Sequence, residues 1–167
     1  MDKGSAIIVL GIVALIVLPF ILYSLYKKQK NMKFLKNFMS FAEKEKIKIS
    51  QKELWNNNYI IGIDNNLKKI IYTNKQNEKE ERKIIDLSLV KECRIVNINR
   101  TVKAQDGKEN ISDRLELNFT FYNNSTREES LEFYNSKDFM PTADDQSRIE
   151  NWLNIVNASL KELRNII

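Results

Sequence analysis

Histidine is absent from this 167-residue chain, and cysteine occurs once. The first absence removes the commonest general base and the commonest metal ligand. The second excludes an intrachain disulfide, and Cys93 sits in an apolar, strand-like context that reads as a buried structural thiol. No G-x-x-x-x-G-K-[ST], G-x-G-x-x-G, C-x-x-C, H-E-x-x-H or G-x-S-x-G string occurs. The carboxylate pairs Asp144-Asp145 and Glu128-Glu129 read as helix capping and strand solvation rather than acid–base machinery. The chain is therefore expected to be no enzyme, with no catalytic, metal or cofactor-binding residues and no small-molecule substrate.

Charge is unevenly placed. The net charge is +5. Residues 1–52 hold ten lysines against Asp2, Glu43 and Glu45, whereas the remainder holds 17 basic and 19 acidic residues. A nucleic-acid-binding domain carries its positive charge on the folded surface, so a nucleic-acid partner is not expected. The many Ile, Lys and Asn residues fit the codon bias of an AT-rich bacterial genome.

The 21 residues Ala6 to Tyr26 carry no charge. As a helix they would extend about 31 Å, enough for a hydrocarbon core of about 30 Å. Gly11 and Pro19 are tolerated in such a helix, and Tyr23 and Tyr26 stand where aromatic rings favour the interface. The run exceeds a signal-peptide core and no small-x-small site follows it. A transmembrane helix over 6–26 is predicted, after a short tail, 1–5. The lysines beyond it place the N-terminus outside and the C-terminal domain in the cytoplasm, as a single-pass inner-membrane protein.

Residues 27–46 continue as a basic amphipathic helix. Phe34, Leu35, Phe38, Met39, Phe41 and Ala42 recur at spacings of three and four. In one reading, Lys27, Lys28, Lys30, Lys33 and Lys36, with Phe34 and Phe38, grip an anionic lipid surface. In the other, the apolar face packs on protein or on a second copy and the lysines are solvated.

The globular part, 47–167, reads as strands followed by one helix. A short strand is expected over Lys46–Ser50 and a stronger one over Tyr59–Asp64. An Asn65-Asn66 turn returns the chain as Leu67–Thr73. A charged loop, Asn74–Glu81, precedes Arg82–Leu87. In Val90–Val102 the apolar parity changes, as a β-bulge produces. A polar loop, Lys103–Ile111, follows, and Lys103, Asp106, Gly107 and Lys108 are its candidate interaction residues. Leu115, Leu117, Phe119 and Phe121 alternate with polar residues. A three-residue loop, Asn123-Asn124-Ser125, would pair Leu117 with Leu131 and Leu115 with Phe133, keeping one face apolar. Pro141 closes the strands. Thr142 to Asp145 then cap a helix, 143–165, whose apolar face includes Ile149, Trp152, Leu153 and Val156. Trp152, Leu117, Phe119, Leu131 and Phe133 form the expected core.

Seven antiparallel strands and a closing helix imply an α+β domain. With Trp152 in that last helix, the chain resembles bacterial membrane proteins with a pleckstrin-homology-like domain. The stretches Ile60–Asn66, Leu67–Tyr72 and Ile85–Leu87 are also similar to that group. The resemblance implies a β-barrel or curved sheet plugged by the helix. Its members often bind inositides through basic residues beside the first hairpin loop, but here only Lys68 and Lys69 follow Asp64-Asn65-Asn66, so that ligand is not carried over. The expected function is a membrane-anchored adaptor or accessory protein. It would present the domain to a protein partner or another copy of itself, with the lipid bilayer as second partner. Alternatives are an anionic-lipid surface sensor and, with reversed topology, a periplasmic envelope protein.

Overall fold

The structure is a computed structural model. It describes the backbone of residues 3–76, 79–104, 107–122, 128–138 and 142–165; the side chains of 3–11, 14, 76, 101–104 and 107–111 are not described. The chain divides into two compact units, Met1–Glu45 and Lys46–Ile167.

The first unit is one helix, α1 (Lys3–Lys44), which passes through Pro19 without a break. A proline removes one helical hydrogen bond, and the lack of Gly or Pro after it lets the lysine-rich half continue the same helix. The apolar residues described between Ile12 and Tyr26 are exposed. The expected transmembrane anchor is corrected here, because among the described residues no helix is long and apolar enough to cross a membrane. The single-pass and inner-membrane assignments, with the N-terminus outside and the domain cytoplasmic, rested on that anchor and are corrected with it.

The second unit contains seven antiparallel strands and a helix among the described residues. Strands β1 (Gln51–Trp55), β2 (Tyr59–Asp64), β3 (Lys69–Gln76) and β4 (Lys79–Asp86) form one sheet in that order. Strands β5 (Val90–Ala104), β6 (Gly107–Phe121) and β7 (Glu128–Asn135) form a second. Helix α2 (Ala143–Asn165) ends the unit. Both sheets are open, so the expected closed barrel is also corrected. The physical reason lies at β7, whose open side meets side chains of the first sheet rather than another strand's backbone.

Several local expectations shift. Lys46–Ser50 is not a strand: Lys46 takes φ 57° and pairing begins at Gln51. The β1–β2 connection uses Asn56 and Asn57 at φ 48° and 59°, a conformation asparagine accepts at low cost. The β2–β3 turn spans residues 65–68, with Asp64 paired to Lys69 and the positive φ on Lys68 rather than on an asparagine. Asp64 organises this turn: Oδ1 accepts the Asn66 and Leu67 amides at 2.9 and 3.0 Å, and Oδ2 accepts the Lys48 amide at 2.7 Å.

The charged stretch after Thr73 is largely strand, with Asn74 paired to Glu81 and Gln76 to Lys79. Strand pairing likewise runs through the expected loop at Lys103–Ile111, where Lys103 faces Lys108 and Ala104 faces Gly107. The parity change between Ile95 and Val96 is no bulge, since their register is continuous; the shifts lie between Val90 and Glu92, where Lys91 is the extra residue on β5, and between Ile98 and Asn99, where Asp113 is the extra residue on β6. Leu117 pairs with Leu131, but Leu115 pairs with Tyr134 because Phe133 is an extra residue on β7. The Asn123-Asn124-Ser125 loop and Pro141 lie outside the described residues.

One core fills the unit. Tyr59, Ile61 and Ile63 of β2 join Leu115, Leu117, Phe119 and Phe121 of β6 and Leu131 and Phe133 of β7. Ile149, Trp152, Val156 and Leu160 of α2 close it. Burying each large apolar side chain contributes roughly 1.5–3 kcal/mol. At the helix start Asp145 Oδ2 accepts from the Thr142 amide at 3.0 Å and its hydroxyl at 2.8 Å, and the Asp145 amide donates to the Thr142 carbonyl at 3.1 Å.

Polar groups fix how α2 meets β1. Glu53 accepts from Trp152 Nε1 at 2.7 Å and from Arg148 Nε at 2.9 Å. Arg148 also reaches Asp145 at 3.0 Å and lies 5.6 Å over the Trp55 ring.

Candidate functional site

An edge strand ordinarily leaves alternate carbonyls open to solvent or to another strand. On β7 three of them are taken by side chains of the first sheet. Trp55 Nε1 donates to the Phe133 carbonyl at 2.9 Å, Tyr72 OH to the Glu132 carbonyl at 2.6 Å, and Lys83 Nζ to the Ser130 carbonyl at 2.8 Å. Stacking of Trp55 on Phe133, with ring centroids 4.9 Å apart, supports the same junction. The sheets are thus joined by side chains, and side chains leave space between them that a backbone ladder would fill.

That space is a polar cleft of about 560 Å³. Tyr72 and Asn74 reach it from β3, Glu81 and Lys83 from β4, Asp113, Arg114 and Glu116 from β6, and Ser130, Glu132 and Asn135 from β7. Lys137, just past β7, completes the lining and is exposed.

Glu132 is its centre. Tyr59 OH donates to Oε1 at 3.0 Å and Asn135 Nδ2 to Oε2 at 2.9 Å, while Asn74 Nδ2 approaches Oε1 at 3.4 Å. Burial pushes the Glu132 carboxyl above its ordinary range, against the lowering effect of the Tyr59 and Asn135 hydrogen bonds and of Arg114. The Tyr72 hydroxyl is held well above its ordinary value, first by burial and then by Tyr59, Glu132, Glu81 and Glu116. It stays a protonated donor at any physiological pH.

The other charges are paired locally. Arg114 meets Glu116 at 3.0 Å, Lys83 meets Glu81 at 3.1 Å, and Asp113 accepts from Ser136 and meets Arg100 at 3.3 Å.

The residues singled out from sequence lie elsewhere. Lys27, Lys28, Lys30, Lys33 and Lys36 are exposed on α1, with Phe34 and Phe38 one turn apart on the same helix. Lys103, Gly107 and Lys108 hold backbone positions at the β5–β6 end, and their side chains are not described. Asp106 lies outside the described residues. Trp152, Leu117, Phe119, Leu131 and Phe133 are all at most 1% exposed. Cys93 is buried, which pushes its thiol up to about 12.

Sequence reading missed Glu132, Asn74 and Tyr59, which come from three strands. One signal was present: once Leu117 pairs with Leu131, Glu116 falls beside Glu132, and like charges across a strand pair need a reason.

No protein-family model, no curated protein and no solved structure matches this chain.

Proposed function

We propose that this protein is a non-catalytic binding module, an adaptor that engages a protein partner at the cleft between its two sheets. One observation carries the reading. The cleft is concave and polar, yet most of its ionisable groups are engaged by neighbouring protein groups instead of standing ready to react. Lys83 and Tyr72 are tied to β7 carbonyls, Asp113 to Ser136 and Arg100, and Glu116 to Arg114. The chain has no histidine, and its one thiol is buried with a raised pKa. Rigid hydrogen-bonding groups around a concavity suit recognition, where preorganised partners lose little entropy on binding.

The reading is tested in the native host with a photo-crosslinking amino acid at position 137, on the rim, and at the exposed position 67 as control. A discrete protein adduct from position 137 and none from position 67 is expected. Equal labelling at both, or no adduct, overturns it.

A further inference from the structure

Along α1 the exposed side chains change character in a fixed order. The apolar residues described between Ile12 and Leu25 are exposed, Leu15 at 78% and Phe20 at 72%, and only Ser24 among them is polar. Because they are nearly consecutive, they cover the helix on every side. Tyr23 and Tyr26, both exposed, stand at the end of that run. Lys27, Lys28, Lys30, Lys33 and Lys36 follow directly, all exposed. No acidic residue occurs between Asp2 and Glu43, and none of these five ammonium groups meets a carboxylate among the described residues.

That order chooses the occupant. A second copy or a groove on another protein covers one face of a helix, whereas a segment apolar all round calls for a medium that surrounds it. Aliphatic side chains, then phenols, then cations is also the order of environments met on leaving a lipid layer. The charge points the same way. Unpaired lysines would repel one another across a pair of like helices, while anionic headgroups neutralise them. Phe34 and Phe38 take no part, because they are 5% and 1% exposed.

We infer that α1 docks on an anionic lipid surface. The exposed apolar residues sink into the acyl region, Tyr23 and Tyr26 lie at its border, and the five lysines meet the headgroup phosphates. Docking of this kind requires no crossing helix, and none among the described residues is long and apolar enough to be one. It is independent of the cleft and of the adaptor reading.

Full-length protein is mixed with vesicles of phosphatidylglycerol and phosphatidylcholine in equal parts, or of phosphatidylcholine alone, and floated through a sucrose gradient. Flotation with the mixed vesicles is expected, with binding to the neutral ones weaker by about 10-fold or more. Lys27→Gln, Lys28→Gln, Lys30→Gln, Lys33→Gln and Lys36→Gln combined should weaken binding to the mixed vesicles by about 100-fold or more. Raised salt should act in the same direction. Leu15→Asp with Leu22→Asp should abolish flotation with both. Every substituted position is exposed, and an unchanged thermal midpoint shows that each variant remains folded. Equal binding to both vesicles, or binding that survives the glutamine substitutions, overturns the inference. So does protein that floats with neither, whether ultracentrifugation finds it monomeric or assembled; assembly that Leu15→Asp with Leu22→Asp dissolves would make a second copy the occupant.

Discussion

The Tyr72 hydroxyl donates to the backbone carbonyl of Glu132, not to its carboxylate. One residue of β7 therefore serves two purposes. Its main chain anchors the strand to the first sheet, and its side chain is left to Tyr59, Asn74 and Asn135 within the cleft. Removing the side chain's charge should alter the cleft without loosening the junction.

Glu132 makes stability fall as pH rises. Its pKa is raised in the folded state, so the fold binds more protons there than the unfolded chain. Its contribution is fully present below the ordinary value of 4.5 and is lost as pH climbs through the folded value. The Glu132→Gln variant should therefore gain thermal stability over the parent as pH increases from about 4.5, then hold a constant lead. Thermal melts by circular dichroism at stepped pH check this; a lead that shrinks with pH contradicts it.

Asp64 works in the opposite sense. Burial pushes its carboxyl up, but the Leu67, Lys48 and Asn66 amides more than offset this and the pKa is lowered. Its contribution is present above the ordinary value of 3.8 and is lost as pH falls through the folded value. Asp64→Asn keeps one acceptor oxygen and should cost about 1–3 kcal/mol at pH 7. The deficit should shrink in acid, as urea unfolding at pH 7 and pH 2.5 would reveal.

Trp152 closes the core and also binds Glu53. Trp152→Ala should cost about 3–5 kcal/mol through lost burial and a cavity. Trp152→Phe fills most of the volume but leaves Glu53 without the indole donor. Glu53→Gln keeps an acceptor and should be milder than Trp152→Phe. Chemical denaturation of the three variants gives the order, and a Glu53→Gln cost equal to that of Trp152→Ala contradicts it.

Cys93 should be inert. Its thiol is buried and titrates at about 12, so thiolate is scarce at pH 8. A disulfide reagent should leave the native protein unlabelled for hours and modify one thiol per chain in denaturant. Rapid native labelling would show the β5 environment to be open.

Legibility followed the strength of local pattern. The alternation from Leu115 to Phe121 and the three-and-four spacing around Trp152 each arise from one face meeting one core, so they read directly. The stretches 74–81 and 103–111 looked like loops because their residues are polar, yet backbone pairing there needs no apolar face. The bulge at Phe133 moved the partner of Leu115 by one residue, which period-two reasoning does not anticipate without a parity break on β7 itself. The cleft was hidden for a different reason. Tyr59 and Asn74 are register partners, but Glu132 reaches them only through the meeting of two sheets. The apolar run at 6–26 shows the converse: its composition suggested a spanning helix, whereas no helix among the described residues is long and apolar enough to cross a membrane.

The capped carbonyls of β7 bear on self-association. A strand whose acceptors are already occupied by an indole, a phenol and an ammonium offers a poor template for a foreign strand. Growth of fibrils or strand-swapped oligomers at that border would first have to release Trp55, Tyr72 and Lys83 together. The border is thereby insulated against runaway polymerisation.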